Sequence, residues 1–202
     1  MSKIKYFIRE SWLLIVSAFC FGLLIAVANA AWSPRIERNK VEKLNRLMSG
    51  LLPEAASFKL EAQVEIKSPK GKKTTSSVYA ALSDANIPVG WVFNCEGPGF
   101  QDKIELVVAV DKGFEKFAGY AVLSSNETPG FGDKIKRSYY RNQFKGAPVE
   151  ELGLVKTGDD KKVDSEIVAI SGATVSSQAV VDIINKVTVQ IKSKMQERAI
   201  EK

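Results

Sequence analysis

Four hydroxyl groups fall within seven residues near the end of the chain, in Ser171-Gly172-Ala173-Thr174-Val175-Ser176-Ser177. An apolar, strand-like run from Ile167 to Ile170 leads into this stretch, and a helical pattern from Val175 to about Met195 leads out of it. A chain passing from strand to helix leaves its first helical amides unpaired and places the positive end of the helix dipole beside them. Phosphate is favoured at such a point. Gly172 and Ala173 leave room for close approach, and the hydroxyls supply either contacts or an acceptor oxygen. The plainer reading is that Ser171, Thr174 and Ser176 cap the helix.

A second stretch suited to chemistry is Glu127-Thr128-Pro129-Gly130-Phe131-Gly132-Asp133-Lys134. Proline fixes one bend, and the two glycines leave backbone amides bare enough for a flat ligand to approach. Its plainer reading is a surface turn. Composition narrows the chemistry further. The chain has no histidine, which removes His-based acid and base work, Ser-His-Asp and Cys-His pairs and His-containing metal sites. Cys20 and Cys95 show no paired spacing, so neither a disulfide framework nor a zinc site is expected. No metal site is expected from any other cluster. The formal charge of +6 comes from cations scattered among acids, without an aromatic-basic cluster, and nucleic acid is not an expected partner. Redox or group-transfer work in such a chain needs a cofactor.

The elements that position these stretches begin with an anchor. No charge occurs between Glu10 and Arg35, and Trp12 to Ala31 is almost entirely apolar, long enough to cross a bilayer core as one helix. Trp12 and Trp32 stand near its ends, as interfacial aromatics do. A cleaved signal peptide is the rival reading, since Lys3, Lys5 and Arg9 precede the run and Ala28-Asn29-Ala30 resembles a cleavage site, but the run is long for a signal core. From Pro34, the spacing of Ile36, Val41, Leu44, Leu47 and Leu51 predicts an amphipathic helix ending near Gly50 to Pro53. The expected organisation is a tail (1–10), a transmembrane helix (11–33), a juxtamembrane helix (34–53) and a folded domain (54–202).

Within that domain, Leu60 to Ile66 and Ser76 to Leu82 read as a hairpin about the turn Ser68-Pro69-Lys70-Gly71. A turn at Asp84-Ala85-Asn86 leads to Val89–Phe93, then to Ile104–Val110, a strand expected to be buried on both faces, and to Phe117–Leu123. Ile135 to Phe144 reads as a short helix in which Tyr139, Tyr140 and Phe144 are packing residues. The last helix places Val180, Ile183, Ile184, Val187 and Ile191 on one face, able to cover a sheet. The fold class is α+β, a mainly antiparallel sheet packed by helices.

Three of these features together resemble a known family, the membrane-anchored FMN-binding subunits of the Rnf and Na+-translocating NADH:quinone oxidoreductase complexes, with the RnfG branch nearest. Ser-Gly-Ala-Thr-x-Ser-Ser before a final helix resembles that family's flavinylation motif. Glu127 to Gly132 resembles its Glu-Thr-Pro-Gly-Leu-Gly loop, with Phe131 in place of leucine, and the glycine-rich then β-forming stretch Gly97 to Asp111 is similar to the segment before that loop. The N-terminal anchor completes the order. The pattern departs at Val168, where the family usually carries an aspartate.

The resemblance implies FMN joined by a phosphoester to Thr174, installed by a flavin transferase that uses FAD. Ser171, Gly172, Ala173, Ser176, Ser177, Glu127, Thr128, Gly130 and Phe131 would bind the cofactor, Ser176 and Ser177 adding hydroxyl contacts to the phosphate and Thr128 and Gly130 approaching the ring or ribityl chain. It also implies an electron-transfer subunit that works with other membrane subunits of an ion-translocating complex, single-pass in the inner (cytoplasmic) membrane, its tail cytoplasmic and its FMN-binding domain on the periplasmic or extracytoplasmic side. The corresponding quinone-reductase subunit, an unflavinylated anchored assembly module and a secreted flavoprotein released after Ala30 are the alternatives.

Overall fold

A computed structural model describes residues 3–67 and 73–200 of the 202-residue chain. The expected turn at Ser68 to Gly71 lies outside the described residues. The chain divides into two compact units, Met1–Glu42 and Lys43–Lys202.

The first unit is the greater part of helix α1 (Lys3–Leu51). Its apolar side chains, among them Leu13, Leu14, Phe19 and Ile25, are exposed, and it contains a stretch long and apolar enough to cross a membrane. The sequence predicts a separate juxtamembrane helix beginning at Pro34, but α1 runs through Pro34 without a break and ends at Leu51. Proline removes one backbone hydrogen bond. The Arg, Glu, Lys and Leu residues that follow are good helix formers, and they carry the helix on.

The second unit opens with the last turns of α1 and continues into a five-stranded antiparallel meander. Strands β1 (Ser57–Lys67), β2 (Lys73–Leu82), β3 (Pro88–Pro98), β4 (Lys103–Asp111) and β5 (Phe117–Ser125) lie in sequence order. β4 sits between two partners and is buried from Ile104 to Val110, as its branched residues predict. The turn at Asp84 to Asn86 is closed by Asn86 N–H donating to Ser83 O, with Asn86 in the left-handed region at φ 57°.

Each face of the sheet has its own cover. Leu44, Leu47, Met48, Leu51 and Leu52 pack on Val92, Val107, Ala109 and Leu123, and the Lys43 ammonium donates to Leu123 O. Helix α3 (Thr174–Ile200) covers the other face with Val180, Ile183, Ile184, Val187 and Ile191, all buried at the expected helical spacing. Full burial stabilises by roughly 1.5–3 kcal/mol for each large aliphatic side chain, so this stripe is what fastens α3 to the sheet.

Two local expectations are corrected. The stretch from Ile135 to Phe144 is three short turns: a 3₁₀ turn (Gly132–Lys136), α2 (Ser138–Arg141) and a second 3₁₀ turn (Asn142–Phe144). Arg137 is extended (φ −76°, ψ 146°) and interrupts them. The chain there is held by tertiary bonds instead, Tyr120 O–H to Ile135 O at 2.7 Å and Arg141 Nε–H to Tyr120 O at 2.9 Å. Tyr140 and Phe144 are buried, whereas Tyr139 is 46% exposed and lies outside the core. The last strand is also shorter than Ile167 to Ile170. β7 (Glu166–Val168) pairs in parallel with β6 (Gly153–Val155), a strand too short to show in the sequence pattern.

Candidate functional site

Strand β7 delivers the chain to a tight turn in which Ala173 N–H donates to Ile170 O at 2.9 Å and Gly172 takes φ +77°. A side chain is disfavoured at that angle. Thr174 then begins α3. Among the described residues the amides of Thr174, Val175 and Ser176 have no backbone partner, and Ser177 N–H is the first to be bonded, to Ala173 O at 3.0 Å. The helix start therefore presents the unpaired donors that the sequence predicts.

Burial separates the four hydroxyls. Ser177 is fully buried, with Oγ accepting from Ile170 N–H and donating to Ala173 O, both at 3.0 Å. Ser176 is 3% exposed and donates to Glu127 Oε2. Thr174 and Ser171 are exposed, and neither makes a side-chain hydrogen bond with any described residue. The capping reading is thereby corrected: the hydroxyl that satisfies backbone groups at this helix start is that of Ser177, because only it lies beneath the turn. Thr174 is left at the first helical position with its oxygen free.

The loop predicted from residues 127 to 134 meets this helix start directly. Glu127 is 4% exposed, and its second carboxylate oxygen accepts from Gln101 N–H at 3.1 Å, in the turn between β3 and β4. A Cβ on Gly132 would stand 2.7 Å from both Glu127 Oε2 and Ser176 Oγ, so glycine is required by close approach. Phe131 is 56% exposed, and its ring lies where a Cβ on Gly172 would come within 3.5 Å of it. Thr128 O–H donates to Gln101 Oε1 at 3.2 Å. Gly130, at φ +78°, faces open space. Ala173 is buried under the turn.

The structure joins the two stretches singled out by sequence, at Ser176 with Glu127 and at Gly172 with Phe131, and sorts their residues into two layers. Thr174, Ser171, Gly172, Thr128, Gly130 and Phe131 are at or near the surface, while Glu127, Ser176 and Ser177 lie behind them. Three residues that sequence reasoning did not place in the site, and one glycine of the predicted loop, complete the arrangement. Gln101 ties the β3–β4 turn to the loop. Tyr140, by its sequence pattern a packing residue alone, also donates its hydroxyl to Ser177 O at 3.0 Å. Gln143 holds both backbone groups of Val168, accepting from its N–H at 2.7 Å and donating to its C=O at 3.2 Å. Gly132 makes the loop's close approach possible. The adjacent glycines at 97 and 99 are the one local signal for Gln101. Nothing local points to Gln143.

Two electrostatic features border the site. Asp102, beside Gln101, is held below the usual carboxylate range by the backbone N–H of Lys103 and by the Asn126 amide. Cys95 is pushed up by burial and stays a neutral thiol. It lines a cavity of about 650 Å³ between α3 and the strand ends where β2 and β3 separate, with Ser76, Asn94, Gln101 and Ile183. None of residues 171–177 lines that cavity. Among the described residues no cluster of acids or cysteines is placed to hold a metal ion.

Residues 99–189 match the family model for the FMN-binding domain. The chain is 29% identical to the G subunit of the ion-translocating oxidoreductase complex of Methanosarcina acetivorans, over 92% of this chain and 94% of that protein. It is 30% identical to the G subunit of the proton-translocating ferredoxin:NAD(+) oxidoreductase complex of Clostridium ljungdahlii, over 88% of each. Among solved structures it resembles NqrC of Shewanella oneidensis, with a TM-score of 0.53 and 24% identity over 66% of this chain and 65% of that one. It also resembles the C subunit of the Na(+)-translocating NADH-quinone reductase of Parabacteroides distasonis, with a TM-score of 0.55 and 18% identity over 78% of this chain and 95% of that one. Those two likenesses concern the fold.

Proposed function

The chain belongs to the family of G subunits of ion-translocating oxidoreductase complexes, and from that premise we propose that it is the electron-transfer subunit of a ferredoxin:NAD-type complex, carrying FMN on Thr174 through a phosphoester. The observation that supports this reading best is the sorting of the hydroxyls. Of the residues in the Ser-Gly-Ala-Thr-x-Ser-Ser motif that begin α3, Thr174 alone combines an exposed, unbonded hydroxyl with the unpaired amides of a long helix.

The residues present fit such a group. A phosphodiester at Thr174 would place anionic oxygens beside the amides of Thr174 to Ser176 and the positive end of the α3 dipole. Ser171 is the exposed hydroxyl next to it. Gly130 leaves open space for a flat ring, and the exposed ring of Phe131, over Gly172, offers an apolar surface against it. Bound there, the isoalloxazine ring supplies the redox chemistry, and the protein supplies position and electrostatics. Covalent attachment keeps the cofactor from dissociating between partners.

Attachment needs a flavin transferase. In the balanced step, Thr174 Oγ1 bonds to the FMN phosphorus of FAD, the pyrophosphate P–O bond breaks, AMP leaves and the threonine proton goes to a base on the transferase. In this reading the anchor holds the chain in the inner membrane with its domain on the extracytoplasmic side, where transferases of this kind work by family resemblance. The other membrane subunits of the complex are its redox partners.

The test is expression of the full chain with and without a flavin transferase, read by intact mass and by flavin fluorescence on a denaturing gel. A mass raised by one FMN less water, only with the transferase, is the expected result. A chain that stays unmodified in its presence would remove the electron-transfer reading and leave the anchored assembly module.

A further inference from the structure

We propose that Glu127 is a positioning residue: its buried carboxylate locks the 127–134 loop and the β3–β4 turn onto the first turn of α3, and so fixes the surface on which the flavin is held. The inference rests on the flavin reading above, and it moves Glu127 from the cofactor's contacts to a place behind them.

Two segments far from Glu127 in sequence converge on its side chain. Oε2 accepts from Ser176 O–H on α3, and Oε1 accepts from Gln101 N–H in the β3–β4 turn. Glu127 N–H itself donates to Ser125 Oγ at 3.3 Å at the end of β5. Gly132 and Gly99 each bring backbone so close to the carboxylate that a Cβ would collide with it. Glu127 as a whole is 4% exposed, too enclosed to serve as a ligand contact at the surface. A buried carboxylate is tolerated only when its oxygens are satisfied, and here both are, each by a different segment. Releasing either bond leaves an unsatisfied buried acceptor, so the three segments are held together or not at all.

On the far side of this lock stand the groups assigned to the cofactor. Gly130 and Phe131 follow Glu127 by three and four residues, and Thr174 precedes Ser176 by two. One turn of helix rotates about 100° per residue, so Ser176 faces the lock while Thr174 points away from it. The lock therefore determines the distance between the attachment oxygen and the loop without touching the flavin.

The test uses the full chain in detergent, expressed with a flavin transferase, as wild type, Glu127→Ala, Ser176→Ala and the double variant. Readouts are hydrogen exchange of the unmodified chain and, for the modified chain, the site of the adduct, flavin fluorescence anisotropy and visible circular dichroism. Exchange at Phe131, Asp133 and Lys134 and at Ser177 should rise together by about tenfold in either single variant, and no further in the double, while β4 keeps its protection. The adduct should stay on Thr174 with lower anisotropy and weaker dichroism. Unchanged anisotropy and exchange in Glu127→Ala, or a rise spread through β4, would overturn the positioning role. Absence of an adduct on the wild type would instead overturn the flavin reading.

Discussion

The hydroxyl of Ser176 donates to the carboxylate of Glu127, and the bond joins residues 49 apart in sequence at a buried point. Two motifs that look independent along the chain are thus one object in space. Each buries its polar groups against the other, and each leaves a different group free: an oxygen at Thr174, an open backbone at Gly130.

Thr174→Ala should abolish covalent flavin, because it removes the one exposed and unbonded hydroxyl on α3's first turn. Ser177→Ala should leave the adduct in place while lowering stability by about 1–3 kcal/mol, since Ile170 N–H loses a buried acceptor. Intact mass with peptide mapping, beside a thermal melt, checks both. Modification persisting in Thr174→Ala would show that another residue is the acceptor.

Gly132→Ala should disturb the site from the other side. Its Cβ would be 2.7 Å from both Glu127 Oε2 and Ser176 Oγ, so the loop has to shift. A cost of about 1–3 kcal/mol is expected from such overpacking, together with faster proteolysis within 127–134. Gly130→Ala meets open space but a positive φ, and should cost only about 1 kcal/mol without altering the lock. Comparing the two separates crowding from backbone strain.

Tyr140 links pH to the helix start. Burial raises its phenol above the ordinary tyrosine value, and the Ser177 side chain acts against it by less. A group whose native pKa lies above its unfolded value stabilises fully below the unfolded value, about 10, and loses that contribution as pH rises further. The wild-type melting temperature should therefore fall on going from about pH 9 to above pH 10. Tyr140→Phe should be less stable at neutral pH by about 1 kcal/mol, with a flatter alkaline decline. Tyr120, also raised chiefly by burial, retains its own share of the decline. Identical alkaline slopes in the two proteins would refute the assignment.

Thr188 offers a gain. It is 4% exposed on α3, and its hydroxyl is buried without a hydrogen-bond partner among the described residues. Thr188→Val keeps the shape and removes the unsatisfied group, which should stabilise the domain by about 1 kcal/mol. Denaturant unfolding of the full chain in detergent measures it. Since Thr188 lies well along the helix from Thr174, flavin loading should not change.

What the sequence determined by itself is what repeats or stands alone in it. The apolar run from Trp12 to Ala31 marks the anchor, alternation and branched residues mark β1 to β5, and the stripe from Val180 to Ile191 marks the face of α3, because each is a periodic demand for burial. The Ser-Gly-Ala-Thr and Glu-Thr-Pro-Gly stretches were legible too, since hydroxyls and glycines at short spacing have local consequences. The structure alone decided which hydroxyl is free. Thr174, Ser176 and Ser177 are the same chemistry within four residues, and only the packing of Glu127 and Tyr140, brought from elsewhere in the chain, buries two of them. It also decided that α1 passes through Pro34, that Arg137 breaks the expected helix, and that Gln143 holds Val168. These are contests between weak local preference and long-range hydrogen bonds, and a local pattern carries no record of a partner that folding brings to it from dozens of residues away.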